Sequence, residues 1–237
     1  EPSEPLVGGK EYLVSLADET TSLDGAQLGS ETTWSFMTEL PHIVSSIPMD
    51  GQALLAADAS ISVEFSQAMD KDAAEEAFSL IPAAGGDPFP GAFSWEGNIL
   101  QFTPAQALTR GTSYILTVAA GIPAADSNAV TVDSLDAWFS IAPLPEVVAF
   151  SAQGDDVSIY DGIEITFSAP ISSDTFLDGF VIEPEADVYA YWRDNERIVY
   201  ISADMDPSTD YTVSLTRDIK DIYGQSLTRA VEYTFST

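Results

Sequence analysis

The stretch SVEFSQAMDKD, Ser62 to Asp72, decides how this chain is expected to fold. Together with the residue before it, it alternates apolar Ile61, Val63 and Phe65 with polar residues, which is typical of an antiparallel strand with one face in water. The stretch TFSAPISSD, Thr166 to Asp174, repeats this strand ending, with a small residue after Phe-Ser and an acid close behind. The recurrence about a hundred residues later indicates an architectural repeat.

Aromatic residues extend this repeat along both halves of the chain. They recur at separations of 97, 97 and 95 residues in the pairs Trp95 and Trp192, Tyr114 and Tyr211, and Trp138 and Tyr233. A unit of about a hundred residues made of short strands is the usual size of a β-sandwich. The sequence therefore predicts an all-β chain of tandem Greek-key sandwiches, in which these aromatic side chains are buried. Tyr189 and Tyr191 would then point outward beside an inward Trp192, because side chains alternate along a strand.

Two short helical segments are expected directly after the repeated strand. The first covers Asp70 to Ile81, with Asp70 or Asp72 as its N-cap and Ala74, Ala77, Phe78 and Ile81 on one face. The second covers Ser172 to Phe180, at the matching place in the other repeat.

The first forty residues look like the end of a further repeat. Leu6, Gly9 and Tyr12 have the same spacing as Leu108, Gly111 and Tyr114, and ETTWSFMT resembles AVEYTFST. The expected domains are therefore 1–40, the C-terminal third of a truncated repeat; 41–143, a complete sandwich; and 144–237, a more divergent sandwich. A hairpin alone is marginally stable in water, so it is expected to pair with another part of this chain or with upstream material. Truncation of a longer parent is the favoured expectation.

The pattern Leu-x-x-Gly-x-x-Tyr has a structural explanation. In Greek-key sandwiches a tyrosine near the start of a late strand bonds its hydroxyl to backbone a few residues upstream. Leu108, Gly111 and Tyr114 fit that pattern, whereas Met205 and Ser208 stand at the leucine and glycine positions of the other repeat. These tyrosines are predicted to hold a corner of the fold.

Charge and composition limit the function classes. There are 8 Lys and Arg against 38 Asp and Glu, for a net charge of −30. Such a chain lacks the cations that neutralise phosphates or attach to anionic lipid surfaces, so neither nucleic acid nor direct membrane insertion is expected. The absence of cysteine excludes disulfide, zinc-thiolate and thiol-nucleophile chemistry.

Catalytic and metal-ligating patterns are weak. His42 is the sole histidine and stands next to Pro41, so no catalytic residue is assigned and a non-catalytic protein is predicted. No cofactor is expected, with calcium as the alternative. Calcium binds carboxylate and carbonyl oxygens in flexible geometry. The candidate calcium ligands are three pairs of nearby residues: Asp70 and Asp72, Asp126 and Asn128, and Asp155 and Asp156. Tyr189 and Tyr191 are the candidate glycan contacts, because two adjacent exposed tyrosines could stack on a sugar ring.

The motifs together resemble those of the bacterial Ig-like domain first described in S-layer proteins. SIPMDGQ, ISVEFSQAMD, ILQFTPAQALTRGTSYILTV and AWFSI match its pattern over residues 42–142. Residues 146–237 match the strand end, the corner and the closing YTFST, but depart from the pattern at FSAQGDD and at Met205-Asp206-Pro207. The resemblance is specific for the fold and weak for function.

The resemblance implies a module that occurs in tandem in large exported bacterial proteins. Such parents include S-layer proteins, adhesins, accessory parts of polysaccharide-active enzymes, and bacterial alpha-2-macroglobulin-like protease traps, which YTVSLTRDIKDIYGQSL (Tyr211–Leu227) resembles. The expected function is an extracellular or cell-surface spacer or protein-interaction segment. Its expected partners are neighbouring domains of the parent chain, another surface protein or a glycan. The alternatives are a glycan-binding accessory module and a calcium-stabilised adhesin segment.

Overall fold

The structure is a computed structural model that describes residues 2, 6–126 and 129–237. The chain forms two compact units. The first comprises Glu1–Gly51, Ala59–Gln106 and Tyr114–Phe139, and the second comprises Gln52–Asp58, Ala107–Ser113 and Ser140–Thr237. Strands account for most of the regular structure, which confirms the predicted all-β class.

A first repeat of strands follows a short N-terminal hairpin. The hairpin pairs β1 (Glu11–Leu16) with β2 (Thr32–Met37). The strands of the first repeat, in chain order, are β3 (Ile43–Ile47), β4 (Gln52–Leu55), β5 (Ile61–Phe65), β6 (Phe78–Pro82), β7 (Gly91–Glu96), β8 (Ile99–Pro104), β9 (Ser113–Val118) and β10 (Leu135–Ile141). They form two sheets of order β3-β5-β8-β7 and β4-β10-β9-β6.

The second repeat has the same strand order, except that its second sheet has no counterpart of β4. Its strands are β11 (Val147–Phe150), β12 (Ile163–Phe167), β13 (Phe180–Glu183), β14 (Val188–Arg193), β15 (Ile198–Ala203), β16 (Asp210–Leu215) and β17 (Val231–Ser236). The sheets have the order β11-β12-β15-β14 and β13-β16-β17. In both repeats some consecutive strands pair as hairpins, such as β7–β8 and β14–β15, whereas β5 to β6 and β12 to β13 pass from one sheet to the other. This mixture is the arrangement of an Ig-type Greek-key sandwich.

The core of the second repeat consists of apolar side chains from both sheets. Ile163, Ile165 and Phe167 alternate inward along β12 and have no exposed surface. They pack in one cluster with buried residues of the facing sheet, among them Val213 and Leu215. The alternation that predicted these strands therefore coincides with burial between two sheets.

Both predicted helical segments exist, but the first one is shorter than expected. Helix α1 spans Lys71–Ala77 with Asp70 as its N-cap, and α2 spans Ser173–Gly179. The expectation that Phe78 and Ile81 continue the first helix is wrong, because both belong to β6 and pair with β9. Pairing with a neighbouring strand outweighs the weak helix preference of a segment of this length.

The expectation that Trp138 is a buried counterpart of Tyr233 is also wrong. The Trp138 side chain is 51% exposed, whereas Phe139 next to it is 3% exposed and stacks on Tyr114 with 5.8 Å between ring centroids. The same place in the second repeat is taken by Phe235, which stacks on Tyr211 at 5.7 Å. A shift of one residue in a strand exchanges the buried and exposed faces, and the aromatic spacing did not reveal that shift.

Candidate functional site

The predicted tyrosine corner is present where the second repeat begins its late strands. The Tyr211 hydroxyl accepts a hydrogen bond from the Asp206 amide at 2.8 Å, and its ring is 2% exposed. Tyr114 is equally buried, with 1% exposure. The Tyr211 hydroxyl fixes the preceding turn by a hydrogen bond made inside the core. Both tyrosine rings are too deeply buried to contact a ligand.

The glycine of the corner motif adopts a left-handed backbone conformation. Gly9 and Gly111 have φ angles of 65° and 71°, in the left-handed region that disfavours a β-carbon. Ser208, which replaces glycine in the second repeat, adopts the same region with φ 54°. The departure from the motif at this position therefore leaves the turn intact.

Tyr189 and Tyr191 lie on the outward face of β14, with exposed fractions of 69% and 58%. Tyr191 is directly opposite Tyr200 of β15, and the Arg193 guanidinium lies 5.5 Å from the centre of the Tyr200 ring. The hydroxyl of Tyr200 accepts a hydrogen bond from the Gly162 amide at 2.8 Å, which fixes that ring in place. We call Tyr189, Tyr191, Arg193 and Tyr200 the tyrosine face.

The first repeat has no such face at the same positions. Trp95 of β7 corresponds to Trp192 of β14. Trp95 pairs with the buried Leu100 of β8, and Trp192 pairs with the buried Val199 of β15. By this register Ser94 and Gln101 stand where the second repeat has Tyr191 and Tyr200. Since the sandwich forms without aromatic residues there, the fold does not require the tyrosine face.

The candidate calcium ligands do not form one group. Asp70 caps α1 by accepting the Ala73 amide at 3.1 Å, and Asp72 lies in the first turn of that helix. Asp126 lines a small cavity with Gln67, whereas Asn128 lies outside the described residues.

The remaining candidate pair lies in the second repeat. Asp155 borders an open groove beside β16 and β17, and Asp156 follows it with φ 66°. Among residues 2, 6–126 and 129–237 there is no group of three or more His, Cys, Asp or Glu placed to hold a metal ion.

His42 lies just before β3, and its Nδ1 is 3.2 Å from the Leu40 carbonyl oxygen. Glu39 is its acidic neighbour, with 3.7 Å between Oε1 and Nδ1. These contacts are local, within three residues of the ring.

In the described part of the chain, every helix is too short or too polar to cross a bilayer.

A buried ion pair in the second compact unit is the polar feature that sequence reasoning missed. The Asp221 side chain is fully buried and lies 3.3 Å from Nη1 of Arg110, whose side chain is 20% exposed. The carboxylate also accepts the amides of Tyr223 and Gln225 at 3.0 and 2.7 Å. The two charges are 111 residues apart in sequence, and no local pattern connects them.

Tyr223 completes this arrangement, which we call the Asp221 cluster. Its hydroxyl donates to the Leu54 carbonyl oxygen at 2.5 Å, and the Arg110 guanidinium lies 5.9 Å from its ring centroid. Burial raises the pKa of Tyr223 above its usual 10.0, the negative charge of Asp221 raises it further, and the positive charge of Arg110 opposes both. Arrangements of this kind fix loop conformation, because every charge has a partner and a defined position.

This pKa shift gives a pH-dependent prediction. A phenol with a raised pKa stabilises the fold below pH 10, and the stabilisation is lost as pH rises through the folded-state pKa. We expect Tyr223→Phe to cost about 1 kcal/mol at neutral pH through the lost hydrogen bond. The difference from the parent chain should shrink above pH 10. Urea unfolding at pH 7 to 11 checks this, with Tyr160→Phe, 89% exposed, as the control that should show no such trend.

The comparison with protein families agrees with this architecture. A sequence model described as the bacterial Ig-like domain matches residues 37–140 and 144–237. No curated protein matches the chain. Among solved structures, the N-terminal part of the bacterial S-layer protein SbsC is similar at 15% identity and a TM-score of 0.34, covering 84% of this chain and 44% of that one. The I9–I11 tandem of titin is similar at 12% identity and a TM-score of 0.31, with 89% and 71% covered.

L,D-transpeptidases also appear among the similar structures. L,D-transpeptidase 3 from Mycobacterium tuberculosis matches at 16% identity and a TM-score of 0.30, over 54% of this chain and 45% of that one. The chain spans about half to two thirds of the first transpeptidase structures it matches. The family assignment rests on the sequence model, which covers both repeats. The strand order and the buried Tyr114 and Tyr211 are consistent with this assignment. The chain belongs to the bacterial Ig-like domain family, of which it carries two tandem copies.

Proposed function

We propose that the chain is a non-catalytic structural or interaction segment of a large exported bacterial surface protein. Domains of this family are generally structural or interaction modules and typically occur in extracellular or surface proteins. The alpha-2-macroglobulin-like parent remains a prediction from sequence resemblance.

This proposal rests on the burial of the residues that recur in both repeats. The residues that define both repeats are inside the sandwiches: Phe65 and Phe167 are 2% and 0% exposed, and Tyr114 and Tyr211 are 1% and 2% exposed. Residues retained in both copies therefore supply packing. A repeated module whose shared phenylalanine and tyrosine pack in its own core is suited to hold neighbouring domains of the parent chain in place.

The charge distribution supports an exported, solvent-exposed setting. The net charge is −30, and within residues 2, 6–126 and 129–237 two of the eight Lys and Arg residues, Arg110 and Arg197, form ion pairs. A surface with this excess of carboxylates repels like molecules and stays soluble. It favours partners that bring cations or uncharged hydrogen-bonding groups.

A second candidate function rests on the tyrosine face. Its two exposed rings on β14 are unnecessary for the fold, because Ser94 takes the place of Tyr191 in the first repeat. Aromatic faces flanked by a cation offer apolar contact and hydrogen bonding, the combination on which a sugar ring stacks. A neutral glycan is the ligand that this face would take.

One experiment tests both candidates. Affinity gel electrophoresis with a panel of neutral polysaccharides should leave the chain unretarded, as expected for a structural segment. Retardation by one polysaccharide that Tyr191→Ala abolishes and Tyr160→Ala retains would instead establish the glycan-binding alternative. Release of soluble sugar from any polysaccharide in the panel would contradict the non-catalytic proposal itself.

A further inference from the structure

The N-terminal hairpin repeats the hydrogen bonds, strand register and aromatic stacking of the hairpin that closes the second repeat. The Tyr12 hydroxyl accepts the Val7 amide at 2.7 Å, as the Tyr211 hydroxyl accepts the Asp206 amide at 2.8 Å. Both bonds span five residues. The tyrosine corner of an Ig-like repeat is therefore already formed in residues 6–38.

The threonine after each hairpin repeats the likeness. Thr38 Oγ1 accepts the Lys10 amide at 2.9 Å and donates to the Val7 carbonyl at 2.6 Å. Thr237 Oγ1 accepts the Thr209 amide at 3.0 Å and donates to the Asp206 carbonyl at 2.6 Å. All of these positions differ by the same 199 residues, so the match needs no insertion or deletion.

The strand register and the aromatic stacking also agree. Tyr12 pairs with Phe36 and their rings stack at 5.8 Å and 22°. Tyr211 pairs with Phe235 and their rings stack at 5.7 Å and 20°. By the same register Trp34 corresponds to Tyr233. The hairpin β1–β2 has the conformation of the last two strands of a sandwich.

The two hairpins differ in what covers them. Leu215 and Phe235 of the closing hairpin are 0% and 3% exposed, whereas their counterparts Leu16 and Phe36 are 41% and 40% exposed. Trp34 is 47% exposed. We call the side of the hairpin that carries Tyr12, Val14, Leu16, Trp34 and Phe36 the open face. A contiguous apolar surface of this kind marks an interaction site.

The second repeat shows what covers such a face. Phe150 of β11 lies flat on Tyr233 at 4.2 Å and 3° between ring planes. β13 adds to the free edge of β16, with Phe180 opposite Leu215. In the described residues β1 pairs with β2 alone, so its corresponding edge is unpaired. The open face and the free edge of β1 therefore correspond to surfaces of β16–β17 that Phe150 and β13 cover in the second repeat.

We propose that the open face and the free edge of β1 bind the front strands of another Ig-like repeat, located ahead of Glu1 in the same polypeptide. The source is set by chain order, because the strands that cover β16–β17 all precede that hairpin and run directly into its corner. The partner strands would carry an aromatic residue over Trp34 and a strand equivalent to β13 along β1. Residues 6–38 thus complete a third sandwich, a role independent of the surface location proposed above.

A fusion tests this proposal. Residues 144–204 of the chain itself are placed directly ahead of residue 6, in place of residues 1–5, since residue 205 corresponds to residue 6 under the 199-residue offset and the copied β15 is kept whole. Hydrogen exchange at the β1 and β2 amides should slow by at least about 100-fold relative to the unfused chain, because an isolated hairpin opens readily and a sandwich strand does not. The chain contains no cysteine, so a cross-link can be added cleanly.

A disulfide should form in the fusion between Phe150→Cys of the added copy and Trp34→Cys. It should not form with Leu13→Cys, which lies on the opposite side of the same hairpin. Unchanged exchange in β1–β2, with β16–β17 still protected, would show the proposal to be wrong. A dimer of the unfused chain that Trp34→Ser dissociates would also overturn it, by showing that a second copy covers the open face.

Discussion

Replacing Phe176 by alanine should lower the free energy of unfolding of the second repeat by about 3–5 kcal/mol, the range for truncating a buried aromatic side chain. Phe176 is 1% exposed and lies between Phe167, Phe180 and Trp192, with ring centroids 5.2–6.3 Å away. Removing its ring leaves a cavity that side chains from two sheets border. The cost is large because a β-sandwich relaxes only partly into such a space.

The neighbouring residue on α2 provides the control. Leu177 is 54% exposed, so Leu177→Ala should change the free energy of unfolding by about 0.5 kcal/mol or less. Hydrogen exchange of the β12 and β16 amides under increasing denaturant reports on the second repeat alone. If Leu177→Ala proves as costly as Phe176→Ala, α2 does not pack as described.

Breaking the Asp221 cluster should have the second large effect. Arg110→Ala leaves a fully buried carboxylate without its counter-charge, a change that typically costs about 3–5 kcal/mol. We expect a value near 3 kcal/mol, because the carboxylate keeps two backbone amides and the arginine is partly exposed. Unfolding followed by hydrogen exchange in residues 219–227 measures it.

An exposed ion pair of the same composition is the matched control. Arg197 and Asp194 form a pair whose side chains are 34% and 49% exposed, and exposed pairs are worth about 0–1 kcal/mol. Arg197→Ala should therefore cost no more than about 1 kcal/mol. Equal losses for Arg110→Ala and Arg197→Ala would mean that water reaches the Asp221 cluster and that it does not fix the loop.

Local sequence patterns predicted the elements that depend on neighbouring residues. The alternation in Ile163–Phe167 predicted a strand, and the spacing around Tyr211 predicted a corner, because strand pleating and turn geometry act over a few residues. The assignment of 1–40 as part of a repeat rests on the same kind of pattern and remains a proposal. The candidate calcium ligands remain untested, and the structure scatters the described ones.

Features that depend on distant partners were not predictable in this way. Phe78 and Ile81 have a helical spacing, yet β9 recruits them into a strand. Trp138 and Phe139 are adjacent, and only the strand register decides which ring enters the core.

The sequence by itself determined the all-β class and the tyrosine corner, because these follow from alternation and spacing within each repeat, and the resemblance of its motifs indicated the family. Only the tertiary structure decided that Arg110 meets Asp221 and that Tyr200 joins Tyr191 in one face. These two contacts form because the fold brings together strands and loops that are distant in sequence. Local sequence patterns do not encode such contacts.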